Sequence, residues 1–139
     1  MPPPIVQVSR LLTTVDGQQE FRLIATLPNA QNQFIGTCGF KSTKLTASLV
    51  SLFVSEQYRR QGIGTLLVRE CEKLTTRLGV RGLGLVVNTK VNEKVIPFYQ
   101  GLGFIPIYTY LDGDLLFWKD VNPHVAEKST IPETDDSKT

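Results

Sequence analysis

A chain of 139 residues with 41% hydrophobic and 20% charged side chains has the length and composition of one soluble globular domain, and no apolar run approaches the ~20 residues a membrane helix requires. The formal charge of +2 is too small and too dispersed to argue for nucleic acid; it hides an asymmetry, because Glu127, Glu133, Asp135 and Asp136 face only Lys128 and Lys138 after position 120, leaving residues 1–120 with thirteen bases and nine acids. Met1-Pro2-Pro3-Pro4 has neither the basic nor the apolar region of a secretory signal, so the expected location is cytoplasmic.

In chain order, Ile5 to Leu12, Phe21 to Leu27 and Gln33 to Phe40 read as strands separated by Asp16-Gly17 and Pro28-Asn29 turn chemistry, an antiparallel meander. Leu45 to Val54, rich in β-branched and aromatic residues, reads as a continuous buried central strand. From Gly62 the period changes: Ile63, Leu67, Cys71, Leu74 and Leu78 recur at helical spacing, Arg69, Lys73 and Arg77 form a basic stripe on another face, and Gly79 supplies the stop. Leu83 to Asn88 then reads as a strand, Glu93 to Leu102 as a helix, and Ile105 to Tyr110 with Leu115 to Lys119 as a hairpin through Asp112-Gly113. Cys38 and Cys71, too few and too far apart in sequence for a disulfide framework or a zinc site, read as buried thiols, and no metal is expected.

The strand–helix–strand unit from Leu45 to Asn88 requires a right-handed crossover and hence a parallel pair. The expected fold is therefore α+β, a mixed and mostly antiparallel sheet built around that unit. Residues 1–120 form the domain, and 121–139, polar and without periodicity, are expected to be a disordered tail.

The segment Arg59-Arg60-Gln61-Gly62-Ile63-Gly64-Thr65 stands where the buried strand hands over to the amphipathic helix. A helix N-terminus presents unpartnered amides and a positive dipole end, so a pyrophosphate can sit there if the backbone can come close. Gly62 and Gly64 lack the Cβ atoms that would block it, and Arg59 and Arg60 add charge. Competing motifs fail on detail: no Lys-Ser/Thr pair follows Gly64, as a P-loop would need, and Leu67 stands where a dinucleotide fingerprint would place its third glycine. Gly82-Leu83-Gly84 leads into a strand instead of opening a helix, so it is no rival phosphate site.

Three elements in order, Leu52-Phe53-Val54, the Arg-x-x-Gly-x-Gly turn, and Asn92 followed by Tyr99-Gln100-Gly101-Leu102-Gly103-Phe104, resemble the GNAT superfamily of N-acetyltransferases over roughly Leu45 to Trp118. The resemblance implies acetyl-CoA as donor and an amine acceptor, either a small molecule or a peptide or protein. By position it implies that Leu52, Phe53 and Val54 offer main-chain groups to the pantetheine arm and acetyl carbonyl. Arg59, Arg60, Gln61, Gly62, Ile63, Gly64 and Thr65 would hold the pyrophosphate, Asn92 would contact the arm, and Tyr99 would stand by the thioester sulfur. Read without the resemblance, Asn92 is an N-cap for the second helix, and Tyr99 is core packing beside Phe98 and Phe104.

The chain departs from the usual family form twice. Thr13 to Gln19 spans only seven residues, too few for the two helices that commonly wall the acceptor site, so that site is open or completed by a second subunit in a homodimer. Neither Leu45 to Val54 nor Leu83 to Val91 carries a carboxylate to serve as general base; water, Glu56, Asp112 or Asp114 remain, while His124 lies in the polar tail. Only a neutral amine attacks a thioester. At pH 7 a lysine near pKa 10.4 loses about 4.6 kcal/mol in reaching that state, against about 1 kcal/mol for an α-amine near 7.7–8.0, so a peptide α-amine fits both the absent base and the open site. Two other classes compete: an acyl-CoA-binding domain without turnover, against which Tyr99 argues, and a nucleic-acid module, whose basic stripe Glu70 and Glu72 interrupt.

Overall fold

An antiparallel meander makes up the first half of the chain in the computed structural model, which describes residues 3–29 and 31–125. Strand β1 (Ile5–Thr13) pairs antiparallel with β2 (Gln19–Leu27), β2 with β3 (Gln33–Ser42), and β3 with β4 (Ala47–Val54). Phe21, Leu23, Ala25 and Leu27 on β2 and Ile35, Cys38 and Phe40 on β3 are buried, whereas β1 is an edge strand with Ile5, Val8, Leu11 and Leu12 exposed. A tight turn at Thr14–Gln18, closed by the Gln18 carbonyl and the Asp16 carboxylate, joins β1 directly to β2, so no helix intervenes there.

Helix α1 (Ile63–Arg77) crosses β3, β4 and β5 (Gly82–Val87) and buries Ile63, Leu67, Val68, Cys71, Leu74 and Thr75. It ends as the sequence predicts: Gly79 takes a left-handed φ of 73°, its amide bonds the Thr76 carbonyl at 3.1 Å, and the Val80 amide bonds the Thr75 carbonyl at 3.2 Å. The two thiols are buried, Cys38 on the sheet facing Cys71 on the helix with sulfurs 3.6 Å apart. Along the outer face of α1, Arg69 pairs with Glu72 and Lys73 with Glu70, and Glu72 also holds Lys119 of β7 (Leu115–Asp120).

The sheet order is β1-β2-β3-β4-β5-β7-β6, with β6 spanning Ile105–Thr109, and β4 with β5 is the parallel pair joined through α1. This is the expected mixed sheet, and every strand limit falls within two residues of the sequence reading.

The second helix departs from expectation. Instead of one helix over Glu93 to Leu102, the chain forms α2 (Thr89–Asn92), a 3₁₀ turn (Glu93–Val95) and α3 (Ile96–Gly101). Asn88 caps α2 early, its Oδ1 accepting from the Lys90 amide at 3.1 Å. Pro97 then imposes a break, because it has no amide to donate back along a continuing helix and fits only a first turn.

Beyond Asp120 the five described residues, outside any strand, stay tied to the domain. The Val121 and Asn122 amides bond the Arg81 carbonyl at 3.0 and 2.7 Å, the Arg81 guanidinium bonds the Val125 carbonyl, and Val121 packs against the core. The rest of the expected tail lies outside the described residues. Truncation after Val125 should leave the melting temperature unchanged. Truncation after Asp120 removes three hydrogen bonds worth ~1 kcal/mol each and should lower it by several degrees, read by thermal denaturation.

Candidate active site

The site begins where two parallel strands part. β4 pairs with β5 only at Ala47–Leu83 and Ser48–Gly84, after which β5 continues against β7 alone. The cause is a bulge. Thr37 faces Phe53 and Gly39 faces Val50, so Ser51 and Leu52 together oppose Cys38, and Ser51 adopts a φ of 54°. A left-handed conformation costs a non-glycine residue roughly 1–2 kcal/mol, and it bends β4 away from its neighbour. On its β5 side the β4 backbone beyond Ser48 therefore faces a cleft instead of a ladder partner. The sequence reading of a continuous strand missed this kink, since nothing in Ser51 itself announces it.

At the far end of β4 the chain makes a 3₁₀ turn (Glu56–Tyr58) and enters α1 through Gly62, whose φ is 85° and which has open space around its Cα. Among the described residues no side chain caps the helix, so its first amides lack a capping partner there. Arg59 is anchored: its Nε donates to the Val54 carbonyl at 3.0 Å, and its guanidinium lies 6.0 Å from the Phe53 ring. Gln61 bonds the Gln57 carbonyl, and Arg60, exposed, takes a φ of 63°. Gly64 also has a packing role. A Cβ there would meet the Phe98 ring at 3.2 Å, so this glycine serves the packing of α1 against α3.

A cavity of about 700 Å³ opens in front of the parting strands, lined by Ser48 to Leu52 of β4, Gly84 to Val87 of β5, and Asn92, Tyr99, Tyr110, Leu116 and Trp118. Tyr99 is buried between the Phe98 and Phe104 rings, 5.0 and 5.9 Å away, which is the packing role the residues alone suggest. Its hydroxyl has no partner among the described residues and meets the cavity. Burial pushes its pKa up to about 12. Asn92 also lines the cavity, and the N-cap reading fails because its side chain makes no capping bond; Asn88 has that role.

None of the candidate bases Glu56, Asp112 and Asp114 lines the cavity, nor does His124, and its only ionisable side chains among the described residues are Lys41, Tyr99 and Tyr110. Trp118, overlooked in the sequence, forms a wall. Its ring spreads over Gly82 and Gly84, where a Cβ would come within 2.3 and 3.4 Å of it, so the Gly-x-Gly of β5 makes room for an indole on the adjacent strand.

A family model described as "Acetyltransferase (GNAT) family" matches residues 9–104. The chain belongs to the GNAT acetyltransferase family. Solved GNAT structures share its fold. The PaiA N-acetyltransferase from Thermoplasma acidophilum, in complex with coenzyme A, is 26% identical with a TM-score of 0.62, covering 73% of this chain and 60% of its own. Ard1 from Thermoplasma volcanium is 20% identical with a TM-score of 0.63, covering 71% and 69%. Arabidopsis thaliana NAA60, in complex with a bisubstrate analogue, is 20% identical with a TM-score of 0.57, covering 73% and 75%. A comparison with curated proteins found no match.

In this GNAT chain, the residues singled out from the sequence fall into two groups. Leu52, Asn92 and Tyr99 converge on the cavity. Phe53, Val54 and Arg59 to Thr65 lie past it, along the last residues of β4 and the opening of α1.

Proposed function

We propose that the protein is an N-acetyltransferase with acetyl-CoA as donor and a peptide α-amine as acceptor. The observation that carries this reading is the parting of β4 from β5 between an uncapped helix N-terminus on one side and an unpaired tyrosine hydroxyl on the other. The α1 amides and the Arg59–Thr65 turn receive the pyrophosphate, as the dipole and the unpartnered N–H groups favour. The β4 main chain beyond Ser48, no longer paired with β5, offers hydrogen bonds on that side to the pantetheine arm and to the oxygen on which charge develops. The acceptor nitrogen bonds to the acetyl carbon as the carbon–sulfur bond breaks, Tyr99 donates a hydrogen bond to the departing sulfur, and the nitrogen's proton leaves to water.

With no carboxylate or histidine lining the cavity among the described residues, the amine must arrive neutral. The α-amine of a peptide, at about 7.7–8.0, meets that demand with the least penalty. The test is kcat/KM against pH for peptides whose α-amines differ in pKa, with the acetylated peptide measured by mass spectrometry. The rising limb should follow each peptide's own amine. A limb that stays at one pH for all peptides would mean that a protein group takes the proton.

A further inference from the structure

Resting on that reading, we infer that Trp118 is the specificity-determining wall of the acceptor cavity, and that the preferred acceptor is a peptide whose first side chain is large and apolar or aromatic. Three observations converge. The indole has a fixed pose: Gly82 and Gly84 give its ring a bed on β5, its Nε1 donates to Asp120 Oδ1 at 2.9 Å, and Arg81 grips both oxygens of Asp120 at 3.2 Å. That grip, together with the indole N–H, holds the Asp120 carboxyl below its ordinary pKa, so the clamp stays ionised at neutral pH. A ring whose polar edge is satisfied offers its face as apolar area at little entropic cost.

The rest of the wall agrees. Val50, Val86 and Leu116 add aliphatic surface beside Trp118, and Tyr110 adds a second aromatic ring. Lys41 is the one lining side chain that is charged at neutral pH among the described residues, with Glu20 across from it on β2 but outside the cavity. An acceptor with cations beyond its reacting amine, such as a polyamine or a peptide beginning with lysine, finds no carboxylate to pair with and meets a like charge. An apolar first side chain finds the surface that binding pockets ordinarily supply.

The chain contains one tryptophan, so its emission reports this wall directly. The full-length protein, saturated with coenzyme A, is titrated with a peptide beginning with phenylalanine and one beginning with lysine, and thiol release from acetyl-CoA is measured for both and for spermidine. The expected result is a saturable blue shift with the phenylalanine peptide, none with the lysine peptide, and a kcat/KM preference of about ten- to a hundredfold. Trp118→Leu, which keeps apolar bulk over the two glycines, should raise KM for the phenylalanine peptide about tenfold and flatten the preference, leaving acetyl-CoA affinity unchanged. Thiol release with no emission change, or with the lysine peptide or spermidine preferred, would overturn the inference and leave acetyl transfer standing. An emission shift with no thiol release would uphold the wall and overturn the enzyme.

Discussion

Tyr99→Phe should lower kcat by about 10²–10⁴-fold while leaving acetyl-CoA affinity nearly unchanged. The substitution keeps the ring that packs between Phe98 and Phe104 and removes only the hydroxyl that meets the cavity. The hydroxyl acts as a hydrogen-bond donor more than as an acid. With its pKa pushed up to about 12, giving its proton to a thiolate near 8.5 is uphill by roughly 5 kcal/mol, whereas donating a hydrogen bond to the developing anion requires no transfer. The sign follows from the same shift: a raised tyrosine pKa keeps the donor protonated through the neutral and mildly alkaline range, so Tyr99 adds no falling limb to the pH profile there. Unchanged turnover in the folded variant would reduce Tyr99 to a core ring.

Gly62→Glu should abolish acetyl-CoA binding as read by calorimetry. Gly62 sits at a φ of 85°, where an L side chain costs roughly 1–2 kcal/mol, yet a Cβ there would meet none of the described residues beyond its chain neighbours within 4 Å, so the folded core tolerates the change. The loss arises from a carboxylate placed where the uncapped first turn of α1 would meet a pyrophosphate, reversing an attraction of dipole and amides. Gly62→Ala, with the same backbone strain and no charge, should weaken binding far less. If the glutamate variant binds as wild type does, the phosphate assignment at this turn is wrong.

What the sequence revealed was mostly local. Helical spacing at Ile63, Leu67, Cys71 and Leu74, the Gly79 stop and the Asp112-Gly113 hairpin each depend on a few neighbouring residues, and each holds in the structure. What escaped depends on partners distant in sequence. The Ser51–Leu52 bulge exists only relative to Cys38 on β3, and an all-apolar-and-hydroxyl strand gives no alternation to betray it. The packing of Gly64 against Phe98, thirty-four residues later, is likewise invisible in the local motif. Gly82-x-Gly84 did carry a readable signal, since two glycines at strand period on one face ask for a large neighbour on the next strand, and Trp118 is that neighbour. The second helix divides because Pro97 fits only the first turn of a helix, a constraint masked by the otherwise helical residues around it.

The central claim, that this cleft transfers an acetyl group, is tested most directly by incubating the full-length protein with acetyl-CoA and an α-amino peptide, following free thiol and acetylated peptide together. The account predicts that the two appear in equal amounts, at a rate that the Tyr99→Phe variant loses. Tight binding of acetyl-CoA with no thiol released above the protein-free rate, for any peptide or small amine, would contradict it and make the protein an acyl-CoA-binding domain without turnover.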